Sequence, residues 1–245
     1  METYHKMAEI YDHIIGEVAF SSWLENFQRL CQAFHLPLSL CADIACGTGL
    51  VAAYLASQGA YVYAVDPSEE MLRIARERCR SLQVSFLRQD FLNLELPEKV
   101  DLLTCNTDSL NYLLVTEELG QALHNFRRAV KEGGYILFDM NTIFQLKGAA
   151  DTEEWVMEDE GIRLLWRYSY DEGENVATLR MENFFLEDGE YHLYQEVHRE
   201  RGYTLETITQ VLREQGFREI YAWDFAGLGP ISLYTRRYQL LAKAG

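Results

Sequence analysis

Residues 43–55 read Asp-Ile-Ala-Cys-Gly-Thr-Gly-Leu-Val-Ala-Ala-Tyr-Leu, an apolar strand that turns through two glycines straight into an apolar, helix-forming run. Glycine has no Cβ, so Gly47 and Gly49 let the main chain bend sharply and approach a ligand closely. The first N–H groups of the new helix have no partner within it and face outward, toward polar or anionic atoms. A chain with this stretch near its start is constrained to build a strand–turn–helix unit with a ligand at the turn.

The surrounding pattern extends that unit into a sheet. From Leu38 onward, short apolar runs alternate with longer periodic ones, which predicts strand–helix–strand units and a parallel sheet. Strands are expected near 40–45, 60–65, 84–87, 100–105 and 134–140, with helices at 49–58, 68–80 and 117–131 between them. Gly59 stands where a left-handed helix end would sit, and Ser68-Glu69-Glu70 suits a helix start. Residues 1–36 read as helical through Ile10, Ile14, Ile15, Val18, Phe20, Trp23, Leu24, Phe27 and Leu30, with Tyr4, His5, Tyr11 and His13 mixed in. Two uses fit that segment: an amphipathic helix packed on the domain, or a cover over the ligand.

At about residue 151 the texture changes to aromatic and β-branched residues interleaved with charges. Asp171-Glu172-Gly173-Glu174-Asn175 and Glu187-Asp188-Gly189-Glu190 read as hairpin turns between antiparallel strands near 162–170, 176–186 and 191–200. A helix follows over about 204–215, and two strands are expected near 218–225 and 232–243. The expected organisation is an α/β core of residues 1–150 and 203–245, interrupted by an antiparallel β block at 151–202.

Composition excludes several classes. The 245 residues are 48% hydrophobic, enough to bury roughly 70% of the unfolded surface. Lys+Arg 22 against Asp+Glu 38 gives a formal charge of −16, which opposes nucleic acid and anionic membranes. No signal-peptide pattern or membrane-length apolar run is seen, so a cytoplasmic location is expected. Cys31, Cys41, Cys46, Cys79 and Cys105 include no C-x-x-C pair, so neither disulfides nor a metal site is expected.

Two nucleotide-like ligands fit the glycine turn. Gly47-x-Gly49-x-x-Ala52, with Asp66 at the end of the second strand, matches the spacing of a dinucleotide fingerprint, so an NAD(P)-dependent oxidoreductase stands as an alternative. Asp43 argues the other way. A carboxylate just ahead of the turn opposes a pyrophosphate and favours an ammonium or sulfonium.

Asp43-Ile44-Ala45-Cys46-Gly47-Thr48-Gly49, followed by Asp66-Pro67-Ser68-x-x-Met71-Leu72, resembles the class I S-adenosylmethionine-dependent methyltransferases. Gln89-Asp90-Phe91, Asp101 to Asn106 and Lys131 to Asp139 resemble further motifs of that family in the same order. The resemblance spans roughly 38–141 and 203–243. It implies a Rossmann-like, doubly wound, mostly parallel sheet with a C-terminal antiparallel strand pair, and the 151–202 block resembles the lids of small-molecule methyltransferases. It further implies that Asp43, Ala45, Gly47 and Gly49 cradle the methionine end of the cofactor and that Asp66 holds the ribose. Pro67 or Met71 would line the adenine side, Asp90 and Phe91 would contact the ring, and Cys105 and Asn106 would lie near the sulfonium.

Because such a cofactor carries the activated carbon, the protein needs a base only if the nucleophile arrives protonated. Tyr11, Asp108 and His198 are candidates, while His124 fits the packing of its helix. Asp108, Asn111 and Tyr112 directly follow the fourth strand and are expected to contact substrate. No Pro-Pro pair exists; the matching stretch is Asn106-Thr107-Asp108-Ser109, which argues against methylation of a base edge. A small-molecule N or O acceptor is expected. Trp166, Tyr168, Phe184, Phe185, Tyr191 and Tyr194 either line its pocket or form the block's own core. The block could also pair two copies into a homodimer. A methyltransferase-like binding module without turnover is the remaining alternative.

Overall fold

The computed structural model describes residues 8, 10–12, 17–150, 154–159 and 161–245. Tyr4, His5, His13, Ile14 and Ile15 of the expected N-terminal helix lie outside the described residues. Within them, α1 runs over Glu17–Phe34.

Seven strands make the main sheet. β1 (Leu40–Ile44), β2 (Tyr61–Val65), β3 (Val84–Leu87), β4 (Val100–Cys105) and β5 (Val130–Asn141) are parallel, and β10 (Phe217–Asp224) and β11 (Arg237–Ala244) complete the sheet. The strand order is β10-β11-β5-β4-β1-β2-β3, with β11 antiparallel to both of its neighbours. The connections run outward from β1 through β2 to β3 and then return to place β4 on the other side of β1. Such an order reversal opens a crevice at the carboxyl ends of the strands, where α/β sheets bind ligands.

Side chains alternate across this sheet, so each strand serves two cores. On one face Cys41, Val62, Ala64, Leu102, Leu137 and Leu241 pack with Trp23, Phe27 and Leu30 of α1, and with α2 (Leu50–Ser57) and α3 (Glu69–Arg78). On the other, Ile44, Val65, Leu103, Ile136, Phe138 and Leu240 meet α4 (Thr116–Ala129) and α6 (Leu205–Glu214). Trp23 stacks on Phe27 with ring centroids 4.7 Å apart, and Tyr54 meets both edge-on. The amphipathic reading of the α1 region is thereby accounted for by packing.

A separate sheet has the order β6-β7-β8-β9, all antiparallel: β6 (Trp155–Asp159), β7 (Ile162–Asp171), β8 (Val176–Glu187) and β9 (Glu190–Arg201). Its inner face holds Leu164, Trp166 and Met181 with Ile10 against them. Trp166 Nε1 donates to Asn183 Oδ1 at 2.9 Å, and Phe185 and Tyr194 meet edge-on. Tyr191 is exposed. The block's aromatics therefore form its own core or face outward, and none of the six lines the central cavity described below.

Four elements differ from expectation. β5 begins at Val130 rather than 134, because Gly133 and Gly134 permit an irregular register against β4. α5 (Ile143–Ala150) and β6 bury too little to show an apolar pattern: Leu146 is the buried residue of α5, and β6 is exposed or half-buried throughout. The last strand starts at Arg237, not 232, since residues 225–236 form a loop whose Gly229 bridges back to Asp224.

Close approach of β4 and β5 depends on Gly134. A Cβ there would lie 2.8 Å from the Asp101 carbonyl oxygen and 2.7 Å from Val130 Cγ1. Gly134→Ala should cost about 1–3 kcal/mol through overpacking. Gly148→Ala, in α5 with open space around it, should gain about 0.5–1 kcal/mol. Urea unfolding midpoints of the two variants should move in opposite directions; a Gly134→Ala midpoint equal to wild type would contradict the tight contact.

Candidate active site

The carboxyl ends of β1, β2, β4 and β5 surround one cavity, covered by α1, Tyr11 and the loop before β11. Its wall includes Asp43, Ala45, Cys46, Gly47 and Thr48 from the first turn, Asp66, Pro67, Ser68 and Met71 from the second, and Phe91 after β3. Asn106 after β4 also lies on the wall, and Thr107, Ser109, Tyr112, Asp139, Phe225 and Arg237 close the far end.

The glycine turn takes its shape from backbone conformation and one carboxylate. Ala45, Gly47 and Gly49 all have positive φ, at 54°, 53° and 82°. Gly47 N–H donates to Asp66 Oδ2 at 2.9 Å, while Ser68 N–H donates to Asp66 Oδ1 at 2.8 Å. Each Asp66 oxygen retains a lone pair for a further donor. Burial raises the Asp66 carboxyl above its ordinary range, opposed by these two N–H groups. Gly49 does not face the cavity. It lies beneath the turn, where a Cβ would come 2.9 Å from Ala75 Cβ.

Across the turn, Thr48 donates to Asp12 Oδ1 at 2.5 Å, and Arg78 of α3 binds both the Asp12 carboxylate and the Thr48 carbonyl. These bonds hold residue 12, and with it Tyr11, over the cavity.

Buried polar atoms on the wall lack protein partners. Asp43 Oδ1 accepts from Thr104 Oγ1 at 2.7 Å, but its Oδ2 makes no hydrogen bond, and neither do the amide atoms of Asn106 or the Trp23 indole N–H. Asp43 and Asn106 are 2% and 6% exposed, so water does not explain them from outside. An unsatisfied buried polar group costs roughly 1–3 kcal/mol, which implies a ligand that supplies partners. Burial pushes the Asp43 carboxyl up to about 7, outweighing the Thr104 hydroxyl. An ammonium alongside it would reverse that shift. Met71, Pro67, Phe91 and Val51 give the adjoining wall an apolar character suited to a planar ring. The chemistry of this set fits S-adenosylmethionine.

Not every residue assigned from sequence reaches the cavity. Asp90 is exposed, and its carboxylate accepts from Leu92 and Asn93 N–H at 2.9 Å, capping a 3-10 turn; only its neighbour Phe91 lies on the wall. Cys105 is fully buried inside β4. Asn111 is likewise buried and acts as a clamp: it exchanges hydrogen bonds with the main chain of Asn141 and donates to the Arg201 carbonyl. His124 faces Gln215, the residue that follows α6.

The far end carries a charge cluster that sequence reasoning only partly named. Asp139, at the end of β5, accepts from Thr107 and Asp108 N–H at 2.9 and 2.7 Å. Both donors have left-handed φ, at 57° and 50°, so the loop curls its N–H groups around the carboxylate. Arg237 pairs with Asp108 at 3.0 Å and with Asp139 at 3.4 Å. Asn141 donates to Asp108 Oδ2 at 2.6 Å and to Glu200 Oε2 at 3.1 Å. Burial, then the Asp108 charge, pushes Glu200 up to about 8. Burial and Asp108 also raise the Tyr11 phenol above its ordinary range. Burial opposes the Arg237 charge, but Asp108, Asp139 and Glu200 together keep it protonated.

Tyr112, on the wall, bonds through its hydroxyl to His198 Nδ1 at 2.8 Å, and His198 Nε2 meets Glu196 Oε2 at 2.9 Å. Asp139 had a sequence signal, an acid closing an apolar strand as Asp43 and Asp66 do. Arg237, Glu200 and Glu196 had none, since only the sheet pairing Arg237↔Asn141 and the fold of β9 bring them here.

Comparison with known proteins agrees with this geometry. The family model for a methyltransferase domain matches residues 41–134. A protein of Geobacillus sp. (strain WCH70), assigned by name to the methyltransferases, is 32% identical over 248 residues, covering 98% of this chain and 100% of that protein. The chain is similar over its whole length to the structure of an S-adenosylmethionine-dependent methyltransferase from Clostridium acetobutylicum, at 28% identity and a TM-score of 0.88, covering 100% of both chains. It shares the fold of an amino pentose methyltransferase from Micromonospora echinaspora with S-adenosylmethionine bound, at 16% identity and a TM-score of 0.72, covering 100% of this chain and 99% of the other.

The raised carboxyl groups tie stability to pH. The folded, ligand-free protein keeps a proton on Asp43 up to about pH 7, whereas the unfolded chain releases it near pH 4. The folded state binds the additional proton between those values, so stability is greatest at the acid side and falls as pH rises through that window. Glu200, shifted to about 8, acts in the same direction. Melting temperatures of the ligand-free protein should decline from pH 5 to pH 8, and Asp43→Asn should flatten the slope; an identical slope in that variant would remove Asp43 as a cause.

Proposed function

The chain belongs to the class I S-adenosylmethionine-dependent methyltransferases, and we propose that it transfers the methyl group to a nitrogen or oxygen atom of a small molecule. The observation that supports this most is the set of orphaned polar atoms of Asp43 and Asn106 on the wall of a cavity whose other end is rich in acids. S-adenosylmethionine, when bound, supplies an activated methyl carbon on a sulfonium centre.

The residues divide by position along the cavity. Asp43 and Asn106 bind the amino-acid end together with the turn at Ala45 and Gly47. Asp66 accepts from the ribose hydroxyls while its own N–H bonds keep it in place. Pro67, Met71 and Phe91 hold the adenine ring. Gly49, Cys105 and Asp90 act from behind the wall: one allows the turn, one packs the strand, one caps the segment that presents Phe91.

Acceptor binding falls to the other end. Tyr11, Tyr112, Asp139 and Arg237 line it, with Asp108 and Glu200 behind. Carboxyl groups outnumber the guanidinium there, which suits an acceptor carrying hydrogen-bond donors, an amine or a hydroxyl. Such a site disfavours polyphosphate, and with a formal charge of −16 it argues against nucleic acid as acceptor. The amino pentose methyltransferase and a sugar N-methyltransferase from Streptoalloteichus sp., which share this fold, are compatible with such an acceptor. In this reading the 151–202 block is a cover for the acceptor end, the working location is the cytoplasm, and pairing of two copies uses the block's outer face. Among the described residues, no helix is long and apolar enough to cross a membrane.

Calorimetric titration with S-adenosylhomocysteine tests the cofactor assignment. Asp66→Ala removes two charge-assisted acceptor bonds and loosens the Gly47 turn, and affinity should fall about 100-fold or more. Unchanged affinity would sink the site as drawn. Labelled S-adenosylmethionine with a panel of small amines, amino sugars and hydroxy compounds tests the acceptor class; transfer confined to nucleic acid would overturn it.

A further inference from the structure

A hydrogen-bonded chain leads from the cavity wall into the protein interior. Tyr112 ends the 3-10 turn Ser109–Tyr112 and lines the cavity. His198 and Glu196 stand two residues apart on β9 and therefore share one face of that strand, at 3% and 7% exposure. Tyr112 Oη lies 2.8 Å from His198 Nδ1, and Nε2 lies 2.9 Å from Glu196 Oε2. The phenol ring and imidazole meet edge-on, with centroids 5.8 Å apart at 84°, which fixes the imidazole plane.

The order of donors follows from the far end. A carboxylate only accepts, so the bond to Glu196 requires the imidazole proton on Nε2. Nδ1 then offers a lone pair, and the Tyr112 hydroxyl donates to it. A phenol that donates to a base is primed to accept a proton on its other side, the logic by which a hydroxyl, an imidazole and a carboxylate act as one unit.

We propose that Tyr112 is the general base of the methyl transfer, with His198 receiving the proton and Glu196 positioning and charge-balancing His198; this rests on the methyl transfer proposed above. In the step, the acceptor's electron pair forms the new bond to carbon as the carbon–sulfur bond gives its pair to sulfur. The acceptor's proton passes to Tyr112 Oη while the phenol's own proton moves to His198 Nδ1. One positive charge is lost at the sulfonium and one appears on the imidazolium beside Glu196, so the net charge of the site is unchanged. The other candidates are worse placed. Asp108 is engaged by Arg237 and Asn141, and burial, then the Asp108 charge, raises the Tyr11 phenol above its ordinary range.

Two readouts test the unit. Nitrogen-15 histidine NMR of the whole protein at pH 8, with His198 assigned through His198→Gln, should show a proton on Nε2 and none on Nδ1, and Tyr112→Phe should shift the Nδ1 signal. A protonated Nδ1, in either the neutral or the cationic ring, would overturn the proposal, because the relay then has nowhere to send its proton. For whichever acceptor of the panel the wild-type protein methylates, Tyr112→Phe should lower kcat by about 100- to 10,000-fold with KM changed less than about threefold. His198→Gln should approach that loss and Glu196→Gln should give about a tenth of it. Tyr112→Phe keeps the packed ring, so its S-adenosylhomocysteine affinity should match wild type, and the lost bond to His198 should lower the melting temperature by only about 2–8 °C; equal kcat, or a loss that tracks melting temperature alone across the three variants, would make the three residues structural. Failure of the underlying function looks different: the wild-type protein itself would bind no S-adenosylhomocysteine or methylate nothing, and the NMR result would still decide the direction of the chain.

Discussion

Two buried carboxylates at strand ends hold the loops of their neighbours, and the cavity exists because of them. Asp66 ends β2 and takes N–H bonds from Gly47, in the turn after β1, and from Ser68 at the start of α3. Asp139 lies near the end of β5 and takes bonds from Thr107 and Asp108, in the loop after β4. In each case a carboxylate from one strand pins the loop of another. Charge-assisted bonds to main-chain N–H groups are about twice as strong as neutral ones, enough to hold Ala45, Thr107 and Asp108 at positive φ despite a cost of roughly 1–3 kcal/mol each.

The same device ties the second sheet to the first. Asn111 bonds to the Asn141 main chain and to the Arg201 carbonyl, Arg201 donates to the Leu114 carbonyl at 2.8 Å, and Tyr203 donates to the Leu113 carbonyl at 2.6 Å. The loop after β4, the end of β5 and the end of β9 are thereby one polar assembly. Arg237 reaches it from β11 because that strand runs antiparallel and so brings its first residue to the carboxyl ends of the others.

What was legible in the sequence is what local patterns encode. The core strands announced themselves through short apolar runs, and Asp43 and Asp66 through being acids where such runs stop, so the cofactor half of the cavity could be read along the chain. Its other half is assembled from residues far apart: Arg237 meets Asp108 across 129 positions, and Tyr112 meets His198 across 86. No periodicity records such pairings. Asp90 and Asn111 illustrate the converse limit. Both fall at the right place in the chain, yet local geometry engages one as a turn cap and the other as a clamp, because a short polar side chain beside free main-chain groups bonds to them first. α5 and β6 escaped notice for a simpler reason: Leu146 is the buried residue of α5, and β6 is exposed or half-buried throughout, so neither carries an apolar pattern.

The contact beneath the glycine turn couples two sites in the gene. Gly49 and Ala75 are packed so closely that a methyl group added at one would meet the methyl group of the other at 2.9 Å. Trimming Ala75 to glycine would not free position 49, whose φ of 82° still demands glycine. The permission therefore runs one way: the turn dictates the alphabet of the third helix, and residue 75 can drift only among the smallest side chains for as long as the turn is kept.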